Sequence, residues 1–334
     1  MRLMRFFIAP TIATFISFGL VAWFGGMDAV VIAALLVVLE VSLSFDNAVV
    51  NARVLENMSP IWQRRFLTWG IFFAVFLTRA VLPVFIVAAS VLMNPIEIAR
   101  LAFSDAEAYG ALLDGAHYVI ASFGAVFLMM VGFKYFFDDA KETHWFEIVE
   151  RHLVRWGRVE AIEIALVLFM LLAAAIIVPA HALEILFAGL IGMIVFILVQ
   201  GIAGSFEVEE KSVTSAGLAL FVYLNVLDAA FSLDSVVGAF ALSTNLLVIT
   251  VGLGIGAYFV RSLTVYMVAE KTLDSFVYLE HGAHWAILGL ATAMFLGLIF
   301  HVPEPITGLV GLVFIGLALY SSWRLNASHA RVTS

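Results

Sequence analysis

The chain has no cysteine, so disulfides and thiolate metal sites are excluded. Charge is scarce. Only 13% of residues are Asp, Glu, Lys or Arg, against roughly 25% in a soluble domain. Basic residues number 17 and acidic ones 25, giving a net charge of −8. No basic run suggests a nucleic-acid surface. No Lys-Ser or Lys-Thr ends the run Gly252, Gly254, Gly256, so it is no phosphate loop; inside a span it suits close helix packing. Gly and Pro are absent between Asp28 and Ser59, which predicts a continuous helix there.

Hydrophobicity fills the space that charge leaves. The chain is 63% hydrophobic with a mean hydropathy of +1.08, the mark of a polytopic membrane protein. A span needs about 20 mostly apolar residues. Ten segments qualify, roughly 6–24, 29–51, 66–93, 116–137, 161–180, 183–203, 214–240, 245–269, 284–301 and 305–323. Arg2 and Arg5 resemble a signal-peptide start, but no convincing small-residue cleavage site follows, so the first segment reads as a retained helix. With ten spans, Arg100 alone among loop basic residues lies opposite the others, while Arg79 and Arg261 lie inside spans. Basic loops stay in the cytoplasm, which places both termini and loop 138–160 inside. The expected fold is an all-α polytopic bundle in the cytoplasmic (inner) membrane of a bacterium.

Two spans carry matching acids. One reads Glu40-Val-Ser-Leu-Ser44-Phe-Asp46-Asn47, the other Asp228-Ala-Ala-Phe-Ser232-Leu-Asp234-Ser235. Next in each half comes a mid-span arginine, Arg79 or Arg261, and then Gly-Ala-His ending at His117 or His284. Three landmarks in one order point to a duplication, residues 1–180 and 181–334. Five spans per copy, an odd number, invert the second copy. Inverted repeats with a midplane site are a common transporter design.

Acids in hydrocarbon are costly and usually face an ion or a cavity. At about 3.6 residues per turn, Glu40, Ser44 and Asn47 share one stripe, as do Asp228, Ser232 and Ser235, with Asp46 and Asp234 to the side. The donors are all oxygen, which suits Mg²⁺, Ca²⁺ or Mn²⁺. Four acids against two arginines leave two negative charges in excess, enough for one divalent cation. Arg79 and Arg261 read first as charge-balancing residues. His117 and His284, on opposite faces, are candidate gate residues. Loop 138–160 places Trp145, Ile148, Val149, His152, Leu153 and Trp156 at helical spacing, which predicts an amphipathic helix on the inner leaflet. An aspartyl-protease dyad of Asp46 and Asp234 lacks a Gly-x-Gly-Asp string and leaves the other acids unexplained. The chain reads as a non-enzyme without a resident cofactor.

Segment 39–50, Leu-Glu-Val-Ser-Leu-Ser-Phe-Asp-Asn-Ala-Val-Val, closely resembles the first motif of the TerC family of membrane proteins. Segment 227–236 resembles its second motif, and 279–287 a feature of a less characterised branch. The family is grouped with the LysE-type exporters. The resemblance spans about residues 30–290 and implies Mn²⁺ efflux, with Glu40, Asp46, Asn47, Asp228, Asp234 and Ser235 along the metal path. Ser232 departs from the alanine of many members and adds an oxygen. Proton coupling fits carboxylates that can bind either ion. The rival expectation is a non-transporting partner of secretion or metal-stress machinery that uses its acids for assembly.

Overall fold

A computed structural model describes residues 2–141, 143–207, 213–243, 245–300, 302 and 304–332. Within these, the side chains of 2–5, 67, 76, 80, 202–207, 213–216, 233, 234, 241, 304–308 and 328–332 stand outside the description. The described chain is all helical, with no strand. Such a fold satisfies every backbone hydrogen bond internally, as hydrocarbon requires.

In chain order the helices are α1 (Arg2–Leu43), α2 (Phe45–Glu56), α3 (Pro60–Phe72), a π-helical stretch (Phe73–Val81), and α4 (Leu82–Ser90). Next come α5 (Pro95–Ser104), α6 (Ala106–Gly115), α7 (His117–Phe136), α8 (Glu147–Trp156), α9 (Ile162–Ile177) and α10 (Ala182–Glu207). The last are α11 (Val213–Leu242), α12 (Leu246–Ala269), α13 (Thr272–Ser275), α14 (Leu279–Gly297) and α15 (Glu304–Val332). Among the described residues, six helical stretches are long and apolar enough to cross a bilayer: Phe6–Leu43, Pro60–Ser90, His117–Phe136, Pro179–Gly201, Leu246–Ala269 and Leu309–Ala327. Ile162–Ile177 and Gly217–Ser232 are shorter apolar helices. Large apolar side chains such as Phe15, Trp23, Phe169, Ile176 and Phe187 face outwards. Around a soluble protein so much exposed apolar surface would be an aggregation hazard; here it is a lipid-facing surface. The protein is an integral membrane helical bundle.

Two expected spans share α1. Gly26, at φ 75°, interrupts that helix, in a region glycine enters without a Cβ penalty. Residues on both sides of Gly26 pack on α12. Phe7 meets the rings of Phe259 and Tyr266, while a Cβ on Gly252 or Gly256 would strike Leu36 or Glu40. The chain therefore doubles back at Gly26 into two arms.

Two pairs of helices with matching sequence landmarks lie antiparallel. In one, Gly70 sits against Arg261 and Val75 against Gly254. In the other, Gly124 faces Met294 and Gly132 faces Leu288. Small residues at these crossings let the helices approach, the usual packing device where lipid supplies no hydrophobic drive.

The expected continuous helix over 29–51 is corrected. It breaks at Ser44, whose φ/ψ of −101°/15° leaves the helical region. The break is local, since Ser44 N–H still donates to Glu40 O and Ala48 N–H to Ser44 O. Asp46 accepts from Asn47 N–H at 2.9 Å and satisfies a donor freed by the break. Residues 95–115, expected as loop, form α5 and α6. The caps explain them: Asn94 accepts from Ile96 N–H with Pro95 at the first turn, and Asp105 accepts from Ala108 N–H.

Candidate functional site

The centre is assembled by helices from both halves. Glu40, at the end of α1, is fully buried and is held against α12 by Gly256. A Cβ on Gly256 would lie 2.5 Å from the Glu40 Cβ, so only glycine permits this approach. Ser44 Oγ donates to Glu40 Oε1 at 3.1 Å. Arg79 Nη2 donates to the same oxygen.

Arg79 projects from the π-helical stretch. Its Nη1 reaches Ala74 O and lies 3.9 Å from Asp228 Oδ2. One guanidinium therefore draws Glu40 and Asp228 together across the two halves. Thr78 Oγ donates to Phe73 O and Ala74 O, absorbing carbonyls that the wide π turn displaces. π-helical turns of this kind often sit at functional sites.

Asp228 is the most shared group. Oδ1 accepts from Asn47 Nδ2 at 3.0 Å. Oδ2 lies 3.3 Å from Arg261 Nη2. Arg261 also approaches Asn225 Oδ1 at 3.4 Å, stacks over the Phe66 ring at 4.2 Å, and fits beside Gly70, where a Cβ would collide with its guanidinium.

Of the sequence candidates, Glu40, Ser44, Asn47, Asp228, Arg79 and Arg261 thus form one buried network. Asp46 is buried nearby and accepts from Asn47 N–H of its own helix. Ser235 Oγ donates to Ser232 O, so it serves the backbone of α11. The Asp234 side chain lies outside the described residues. Among the described residues, no three His, Asp or Glu side chains converge into a metal cage.

Among the described residues, five buried side-chain oxygens have no hydrogen-bond partner: Glu40 Oε2, Asn47 Oδ1, Asn51 Oδ1, Ser122 Oγ and Ser232 Oγ. Buried polar atoms are seldom left so. Asn51 and Ser122 were not anticipated. Asn51 follows Asn47 by four residues, so extending the Glu40 stripe would have found it. Asn225 stands three before Asp228 and was findable likewise. Ser122 on α7 carries no such signal.

The two gate candidates join α7 to α14 at opposite ends. His117 Nε2 lies 3.3 Å from Gly297 O. His284 stacks on Tyr135 with ring centroids 3.6 Å apart.

A second polar cluster was missed altogether. Glu150 of α8 is fully buried. Oε2 meets Lys141 Nζ at 3.1 Å, His281 Nδ1 at 3.0 Å and Trp145 N–H at 3.2 Å. Oε1 accepts from Trp285 Nε1 at 3.1 Å and Phe146 N–H at 3.2 Å. Burial by itself would raise the Glu150 pKa; the His281 bond and charge, then Lys141 and Trp285, overcome it and hold it down at about 2. Burial lowers the pKa of Lys141, only partly offset by Glu150. The amphipathic helix expected in this loop is also shorter than its apolar spacing suggested. It starts at Glu147, and Trp145 precedes it as a donor to Glu150.

Residues 45–329 match the model of a family described as a protein of unknown function, DUF475. Neither the curated proteins nor the solved structures contain a match to the chain.

Proposed function

We propose that this chain, which belongs to the DUF475 family, exports a divalent cation, Mn²⁺ foremost, across the bacterial cytoplasmic membrane. The observation that carries the reading is the buried network in which acids from both halves meet two arginines, with Glu40 Oε2 and Asn47 Oδ1 of that network left unpartnered. Intramembrane acids mark ion paths, and an all-oxygen donor set suits a hard cation. The TerC resemblance of the two acidic strings favours Mn²⁺ among such ions. The basic-residue asymmetry supports cytoplasmic termini.

In this reading the described conformation is the cation-free one. Arg79 supplies the positive charge that Glu40 and Asp228 need in a low-dielectric site. An entering cation takes that place, and the guanidinium swings off the carboxylates. Rocking of one half against the other then exposes the site to the far side. Protons, which bind the same carboxylates, are the proposed counter-ion.

The test is Mn²⁺ flux in vesicles reconstituted with the parent protein and with Asp228→Asn and Asp46→Asn. Flux by the parent, lost in both variants at equal protein insertion, supports export. A parent protein that moves none of Mn²⁺, Ca²⁺, Mg²⁺, Zn²⁺ or Fe²⁺ defeats it. The Arg79 bridge also favours a second reading, in which the acids hold the two halves together in a non-transporting partner of secretion or metal-stress machinery. That reading predicts no flux and a loss of stability in the same variants.

A further inference from the structure

Helix α8 has two unlike faces. On one side Glu150 is fully buried and ties the helix to Lys141, His281 and Trp285. Turned away from Glu150 by roughly 100° to 160° around the helix lie Ile148, Val149, His152 and Trp156. Ile148 is 79% exposed and Trp156 54%. With Leu153 these residues line an open hollow of about 300 Å³. Arg151 and Arg155 lie along one edge of that face, and Arg158 follows the helix; all three are exposed. Arg151 pairs with exposed Glu147, one turn before it.

The depth of this helix is set by its anchor. His281 and Trp285 belong to the first two turns of α14 and pack on Tyr135 and Phe136, the last residues of the bilayer-length helix α7. Two of the five contacts to the Glu150 carboxylate, from His281 and Trp285, fix α8 beside that end, with its apolar side exposed. A Trp at a helix end is a common interfacial anchor, which agrees with this level.

We propose that α8 is a docking surface for an anionic lipid leaflet. The apolar residues enter the acyl-chain boundary while Arg151, Arg155 and Arg158 meet lipid phosphates. The charge pattern selects this occupant: an apolar strip edged by arginines complements negative headgroups above hydrocarbon. A second copy of the chain would bring like charges together. Glu150 does not touch lipid. It is the strut that presents the helix, and the proposal stands whether or not the protein moves ions.

The absence of cysteine makes the test clean. Val149→Cys in the full chain carries a bimane label. The protein is reconstituted into vesicles of brominated phosphatidylcholine, with or without phosphatidylglycerol. Quenching several-fold stronger with phosphatidylglycerol is expected, and raising the salt concentration should reverse the gain. Replacing Arg151, Arg155 and Arg158 by Gln should abolish it, with helix content by circular dichroism unchanged. The salt arm needs no arginine variant, so a misfolded triple variant leaves the test intact. Equal quenching in both vesicles would mean apolar burial without charge recognition and overturns the proposal. A label accessible to water in both overturns it too. So does disulfide cross-linking between unlabelled Val149→Cys copies, which would assign the face to a second copy.

Discussion

The two halves carry matching acids and arginines, yet the acids live differently. Glu40 has a tight guanidinium, Arg79, and a hydroxyl, Ser44. Asp228 has looser contacts to two arginines and one amide. The backbones differ as well. The first acidic string breaks at Ser44 and its arginine rides a π-helical stretch, whereas α11 and α12 run without interruption. A carboxylate one methylene longer meets an arginine from a widened turn, and Arg79 thereby contacts acids of both halves. Among the described residues, Arg261 forms its ion pair with Asp228, the acid of its own half. The two strings carry equal residue types; local backbone made one arginine a bridge and the other a satellite.

The largest effect is therefore expected at Arg79. Arg79→Met should leave Glu40 buried without a counter-charge and cost about 3–5 kcal/mol, the usual penalty for breaking a buried pair. Thermal unfolding in detergent measures it. Arg79→Lys should recover part of the stability but lose flux, because an ammonium cannot span two carboxylates as a fork does. An Arg79→Lys protein that transports at the parent rate yet melts far lower would reduce Arg79 to structural support.

Arg261→Met should cost less, about 1–3 kcal/mol, because Asp228 keeps Arg79 and Asn47. Equal losses at Arg79 and Arg261 would remove the asymmetry argued above.

The Glu150 cluster gives the comparison a control outside the bilayer. Glu150 has its folded pKa below the unfolded value, so its stabilisation is present above about pH 4.3 and is lost as pH falls towards about 2. Melting curves of the parent and of Glu150→Gln should differ most at neutral pH and converge in acid. A gap that widens on acidification would contradict the assignment. The smallest change is expected for Asn47→Ala, about 1 kcal/mol, read by the same melting assay. A much larger loss would mean that Asn47, rather than Arg79, joins the halves.

Hydropathy was enough to make this chain a membrane helical bundle, because a bilayer admits few ways to bury a backbone. The buried acids and mid-span arginines were equally legible, since any charge inside an apolar run stands out. Helical spacing even grouped Glu40, Ser44 and Asn47, and its extension contained Asn51. Three features were not legible. The break at Ser44 occurs where no Gly or Pro marks it, being compensated by Asp46 and surviving hydrogen bonds. The role of Glu150 was hidden in a polar loop, because its partners His281 and Trp285 lie far along the chain. The unequal sharing of Arg79 and Arg261 was hidden by the matching acid and arginine pattern. Sequence spacing determined which groups enter the membrane and which share a helix face. Only tertiary structure decided which acid each guanidinium reaches, because that depends on side-chain length, turn width and glycine-permitted approach between helices distant in the chain.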